Sequence, residues 1–295
     1  MATEEKPRST VRLPRAPDLA AMQRFVATHS AKQVRSATDE AQTMMYDAWQ
    51  KPTPRAQAVH THKALAISPL CADAYNLLAN QARTPEKALD LYMRGMEAAA
   101  LVLGPEGLEE FDGGFWGFLE TRPYMRARAG VALKLRKLQR FEEAAGHLRA
   151  MLKLNPNDNQ GMRFVLLGTL FDLDQFEAAK ALIGDYPDDD SLWWWYGQAL
   201  IAFHDGRQDD PETLDTVRAA LAANGQVVPV LAGRIPLVML KSPYGAVGSP
   251  QEAGDYGREH GPAWRKLPGA VDWLIAAARI TGGPTPESST ASSPE

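Results

Sequence analysis

Between Glu120 and Arg128, nine residues carry a carboxylate, a phenol and three guanidinium groups: Glu120, Arg122, Tyr124, Arg126 and Arg128. Positive charge at that density suits a small anion, and an acid beside a phenol could serve acid chemistry. No nucleophile or general base nearby has a recognisable partner, so catalysis is not expected and no catalytic residue is assigned. His60 and His62 are the other pair with ligand chemistry. On a helix, residues two apart point to opposite sides, so they cannot share one ion. His29, His147, His204 and His260 are scattered without ligand spacing, and no metal or other cofactor is expected. The chain has no Gly-Lys-Ser or Gly-Lys-Thr phosphate loop, no Gly-x-Ser-x-Gly elbow and no His-Glu-x-x-His.

The composition narrows the function classes further. The 295 residues are 45% hydrophobic, enough to bury a core, with 32 Lys and Arg against 36 Asp and Glu, a net charge of −4. Nucleic-acid binding calls for a basic excess on one face, which this balance does not supply. The single cysteine, Cys71, reads as a small buried hydrophobe. The most apolar stretch, Val227–Leu240, holds Pro229, Arg234 and Pro236 and falls short of the about 20 residues needed to span a bilayer. The opening residues Met1–Arg15 are polar, without an apolar signal stretch, so a cytoplasmic location and no membrane contact are expected.

The elements that must position these side chains are helices in pairs. Arg140-Phe-Glu-Glu-Ala144 recurs as Gln175-Phe-Glu-Ala-Ala179, a spacing close to the about 34 residues of a helix-turn-helix repeat. Arg128, Val131, Ala132 and Leu135 fill the fourth, seventh, eighth and eleventh positions of one first helix. Phe164, Leu167, Gly168 and Phe171 fill those of the next, and Trp193, Tyr196, Gly197 and Leu200 those of a third. Arg128 is the exception, at a position that is otherwise aromatic. A second helix with Ala144, Leu148 and Met151 ends at Pro156. Weaker pairs start at Tyr75, Leu78 and Ala79, continuing through Ala88, Tyr92 and Gly95, and span Asp39 to Ile67. Small residues let backbones approach, large ones four and seven apart fill the gap to the neighbour, and one pair alone leaves a face exposed, so pairs must stack.

Thr121 is expected to cap a helix with Pro123 in its first turn, and Asn155–Asp158 to break one helix and cap another near Gln160. Asp188–Ser191 should cap the Trp193-Trp194-Trp195-Tyr196 helix, and Asn224-Gly225 should end a helix near Ala223. Four consecutive aromatics point around most of a helix, so one ring is expected to leave the core, and Trp194 is the choice. Residues 104–120 read as a Gly-rich insertion joining two units. Its Phe115 and Trp116 either tuck into the stack or form a lid for a partner.

Gly114-Phe-Trp-Gly117 with Glu120-Thr-Arg-Pro-Tyr-Met-Arg-Ala-Arg128, and then Asn155-Pro-Asn-Asp-Asn-Gln-Gly161, resemble segments of bacterial tetratricopeptide (TPR) repeat proteins without an established activity. The resemblance runs from about Ala72 to Leu274. It extends more weakly to the suppressor-of-tumorigenicity-seven family, through Ala72-Asp-Ala-Tyr75, Val228, Pro229, Glu252-Ala253 and Trp264 to Trp273-Leu274. The membrane-anchoring apolar segment of those eukaryotic proteins has no counterpart in this chain.

The resemblance implies an all-α fold: an α-solenoid of stacked antiparallel helix pairs, a TPR-like superhelix over residues 18–280. Residues 226–280 would form its C-terminal capping region, with a last helix at Ala270–Ile280, and tails 1–17 and 281–295 would be disordered. It also implies a concave groove lined by the second, fifth, ninth and twelfth positions of each first helix. These are Arg126, Ala129, Leu133 and Arg136; then Met162, Val165, Thr169 and Asp172; then Ser191, Trp194, Gln198 and Ile201. Such a groove is mostly apolar, with two arginines at one end to fork onto a carboxylate. The expected function is a protein-interaction scaffold or adaptor holding a peptide. The alternatives are an anion site or enzyme around Arg122, Tyr124, Arg126 and Arg128, or self-association through the repeat ends.

Overall fold

Among the described residues every regular element is helical. The structure, a computed structural model, describes residues 13–110, 113–237 and 246–282. The expected tails therefore lie largely outside the described residues, as do 111–112 of the insertion and the end of the Val227–Leu240 stretch. The chain divides into two compact units, Met1–Gln160 and Gly161–Glu295.

The first unit contains α1 (Leu19–Thr28), α2 (Ala31–Trp49), α3 (Pro54–Ile67), α4 (Ala72–Asn80), α5 (Pro85–Glu110), α6 (Arg122–Lys137) and α7 (Phe141–Leu154). Short connections fold α3 onto α2, α5 onto α4 and α7 onto α6, and α6 packs in turn on α4 and α5. Capping sets several of these starts. Ser30 and Gln33 form a reciprocal capping box at α2, and Thr53 caps α3 ahead of Pro54. The weak pair expected from Asp39 is thus a full pair, with α2 beginning at Ala31.

The expected insertion is partly helix. The chain turns at Gly104, whose φ of 70° suits glycine, then resumes helical geometry to Glu110. Two short 3-10 turns, Phe115–Gly117 and Leu119–Thr121, lead into α6. Thr121 stands at the N-cap of α6 without capping it, because its hydroxyl donates to the carbonyls of Phe115 and Phe118 and pins the loop instead.

The second unit contains α8 (Met162–Asp172), α9 (Phe176–Asp185), α10 (Leu192–His204), α11 (Pro211–Asn224), α12 (Val227–Leu231), α13 (Pro250–Glu259), α14 (Gly261–Lys266) and α15 (Ala270–Ile280). Consecutive helices α8 to α11 pack on one another, and α15 lies against α11, α12 and α14. The last helix has the bounds expected from sequence. Helix α8 begins later than expected: its N-cap is Gly161 in the left-handed region, and no side chain of Asn155–Asp158 caps it. Gly225 follows α11 with right-handed geometry, so it ends the helix without the left-handed turn that glycine often supplies there.

The repeat shows in the turns as well as in the letters. Gln139, Asp174 and Gly206 all sit in the left-handed region, at φ 59°, 57° and 71°. In each case the next residue donates back across the helix end: Arg140 to Leu135, Gln175 to Leu170 and Arg207 to Ala202, all at 2.9 Å. Gly233, at φ 70°, closes α12 in the same way, with Arg234 donating to Pro229 at 2.9 Å, so this helix-ending motif occurs at least four times among the described residues. Val131, Ala132, Leu135, Leu167, Gly168, Phe171, Tyr196, Gly197 and Leu200 are all buried, as the spacing predicts. Cys71 is buried too, and its loss of solvent pushes the thiol up to about 12.

Candidate functional site

In the first unit, α2, α4 and α6 meet at one polar knot. Asp73, in the first turn of α4, is 1% exposed, and its carboxylate accepts four hydrogen bonds. Arg126 of α6 donates from Nε to Oδ1 at 2.9 Å and from Nη2 to Oδ2 at 2.6 Å. Gln42 of α2 donates to Oδ2 at 3.1 Å, and Asn76 to Oδ1 at 3.1 Å. Asn76 also donates to the Pro123 carbonyl at 3.2 Å, tying α4 to the start of α6. Buried polar oxygens need partners of this kind, because water cannot reach them.

The α2 face that carries Gln42 continues through Arg35, Thr38 and Asp39, which follow the i, i+3, i+4, i+7 pattern. Those three residues form one wall of a cleft of about 580 Å³. Val102 and Leu103 of α5 form its apolar part, and Glu106, Gly107 and Glu120 close the far side. The expected insertion therefore contributes a wall to this cleft. Among the described residues, three carboxylates and one guanidinium line the space. Sequence reading missed the cleft, although the polar stripe on α2 was a signal.

The expected anion cluster divides between two sides of α6, since 122 and 126 share one side of a helix while 124 and 128 lie opposite. Arg122 donates to the Trp116 carbonyl at 3.1 Å and lies over its ring, and Arg126 is committed to Asp73. Arg128 donates to the Tyr124 hydroxyl at 2.8 Å. Each guanidinium thus has its own partner, and the four residues do not converge on one ligand. Glu120 is exposed beside the cleft. Phe115 is fully buried against Tyr124, and Trp116 is half-buried. This matches the tucked-in reading of the loop.

The expected groove residues fare unevenly. In α6, Leu133 is 43% exposed and Arg136 half-buried, but Ala129 is buried. In the second unit, Val165, Asp172, Ser191 and Gln198 are half-buried, while Met162, Thr169 and Ile201 are buried. The Thr169 hydroxyl turns back to the Val165 carbonyl at 2.6 Å. Gln198 and Ile201 line a smaller hollow of about 230 Å³ with Glu212, Thr213 and Thr216 of α11.

Trp194 corrects an expectation outright: it is 1% exposed. Its indole N–H donates to the Tyr186 carbonyl at 3.1 Å, its ring meets Phe164 and Tyr186 edge-on, and the Arg163 guanidinium lies over it. Trp193 and Trp195 are the half-buried rings. The physical reason is that α10 is covered from several directions. Tyr256 and His260 of the C-terminal helices pack on Trp193, and His260 also meets Phe171. The side of α8 and α10 that holds these rings is filled by the chain itself.

No protein-family model matches this chain, and no curated protein is similar to it in sequence.

Proposed function

We propose that the chain is a non-catalytic scaffold of tetratricopeptide type, a solenoid of helix pairs that holds a polypeptide segment on the α2 side of its first unit. The observation that carries this reading is the cleft beside the Asp73 knot. Its ionisable residues stand on α2 (Arg35 and Asp39), on α5 (Glu106) and on the 3-10 turn before α6 (Glu120), and Val102 and Leu103 supply its apolar part. A preformed hollow with a few fixed charges and an apolar part is what an extended segment needs for orientation and anchoring. The matching turns that end α6, α8 and α10 and the serial pairing of α2 with α3, α4 with α5 and α6 with α7 support the repeat reading.

The charge preference differs from the sequence expectation. Arg126 is already neutralised by Asp73, so it is not free to select an acidic tail. Three carboxylates against one guanidinium favour a segment with Lys or Arg beside an apolar residue. Selection of displayed random peptides on the full chain tests this. Enrichment of basic, apolar-containing sequences that fail to bind an Asp39→Lys, Glu106→Lys variant supports the reading. No enrichment, or equal binding to that variant, contradicts it.

A further inference from the structure

The chain reaches α1 through Leu13-Pro14-Arg15-Ala16-Pro17, just ahead of the Asp18 cap. None of these residues is helical. Each proline fixes its own φ, and Leu13 and Ala16, each just before a proline, are steered to extended geometry. One side chain ties the segment to the fold. Arg94 of α5 donates from Nη1 to the Ala16 carbonyl and to the Pro17 carbonyl, both at 3.2 Å. Asp90, one turn earlier, fixes that guanidinium by accepting from its Nη2 at 3.1 Å. Among the described residues, Arg94 supplies every hydrogen bond that residues 13–17 make.

The segment is a strap on the α4–α5 side of the first unit. Leu13, Pro14, Arg15 and Ala16 form one wall of a hollow there, and Leu78 of α4, the turn 81–84 and Leu91 of α5 belong to the others. Leu91 is buried and Leu78 half-buried, whereas Pro14 and Arg15 are exposed. The strap is therefore seated as a peptide ligand is. Its prolines preset an extended backbone, a fixed guanidinium reads two successive carbonyls, and apolar side chains of packed helices stand alongside. Recognition through carbonyls asks little of the side chains beyond the prolines. A preset backbone also loses little conformational freedom on docking.

We propose that this α4–α5 face is a docking site for an extended segment of another protein with Pro-x-x-Pro spacing, and that Leu13–Pro17 occupies it in cis as a strap which such a segment displaces. The incoming carbonyls take over the Arg94 donors. Because the strap is tethered beside its seat, it competes at an effective concentration of about millimolar, which keeps the site closed to dilute ligands. The site is separate from the α2 cleft and does not depend on the reading given to that cleft.

Fluorescence anisotropy on the full chain tests it, with a labelled peptide of residues 10–18 that carries Arg12→Gln and Arg15→Gln so that trypsin cannot cut it. Loosening the strap by Pro14→Gly and Pro17→Gly is expected to let the chain bind this peptide at least about ten-fold tighter than the parent does. Adding Arg94→Gln to the loosened chain should weaken binding at least about ten-fold, and so should replacing both prolines of the peptide by glycine. Asp39→Lys with Glu106→Lys, in the α2 cleft, should leave binding unchanged. The proposal is overturned if the loosened chain does not bind or binds no tighter than the parent, or if either Arg94→Gln or the glycine peptide leaves the affinity unchanged. A loss from the α2-cleft variant equal to that from Arg94→Gln also overturns it, and so does a dimer in light scattering that takes up no peptide. A second measurement needs no variant. Millimolar peptide should speed trypsin cleavage of the parent after Arg15 at least about two-fold, and the glycine peptide should not. Equal rates with and without the peptide would overturn the proposal.

Discussion

Arg126 forks onto Asp73 across 53 positions of sequence, with the acid almost wholly buried and the base 40% exposed. The two ends of this pair are therefore not equivalent. Removing the guanidinium strands a carboxylate that water cannot reach, whereas removing the carboxylate leaves a base that still touches solvent. We expect Arg126→Met to cost about 2–4 kcal/mol in urea unfolding at pH 7, discounted for the exposure of the base. Asp73→Ala should cost less, because Arg126 can hydrate. Equal losses, or a loss below about 0.5 kcal/mol for Arg126→Met, would contradict the role given to the knot.

The matching turns that end α6, α8 and α10 make a second prediction. Gln139 is exposed and holds a left-handed conformation that Gly206 adopts without strain in the corresponding turn. Gln139→Gly should raise stability by about 0.5–1 kcal/mol, and Gly206→Ala should lower it by a similar amount. Thermal unfolding of both variants measures this. The opposite order would show that the turns are not equivalent.

Burial lowers the pKa of His62, and burial first, then the Arg128 charge, lowers that of His147. Both are therefore held neutral in the fold more strongly than in the unfolded chain. Above their ordinary value of 6.5 they add nothing to the pH dependence. As pH falls through 6.5 the unfolded chain takes up protons that the fold resists, so stability drops. The drop levels off below the lowered folded values. Between pH 7.5 and 5.5 the double variant His62→Gln, His147→Gln should lose less thermal stability than the parent. An equal loss in both proteins would mean that these rings are not responsible.

Local features of the fold were legible in the sequence, and long-range ones were not. The bounds of α15 and the buried positions of α6, α8 and α10 follow from helical periodicity and small-residue spacing. The division of Arg122 and Arg126 from Tyr124 and Arg128 was equally readable, since 100° per residue sets them on two sides. What covers a helix is another matter. Trp194 was expected outside because four aromatics ring one helix, yet Tyr186, Phe164 and Arg163 close over it. Likewise nothing local in the sequence pointed to Arg126 and Gln42 as the partners of Asp73.

The central claim, that the α2 cleft of the first unit holds a polypeptide, is tested most directly by a photo-crosslinker placed on the chain itself. Benzoylphenylalanine at Thr38 lies in the cleft wall, and at Arg83 it stands on the separate α4–α5 turn. The account predicts an adduct with one protein from Thr38 and not from Arg83, abolished by excess of a basic peptide from the selection. No adduct at Thr38, or the same adducts from both positions, would contradict it.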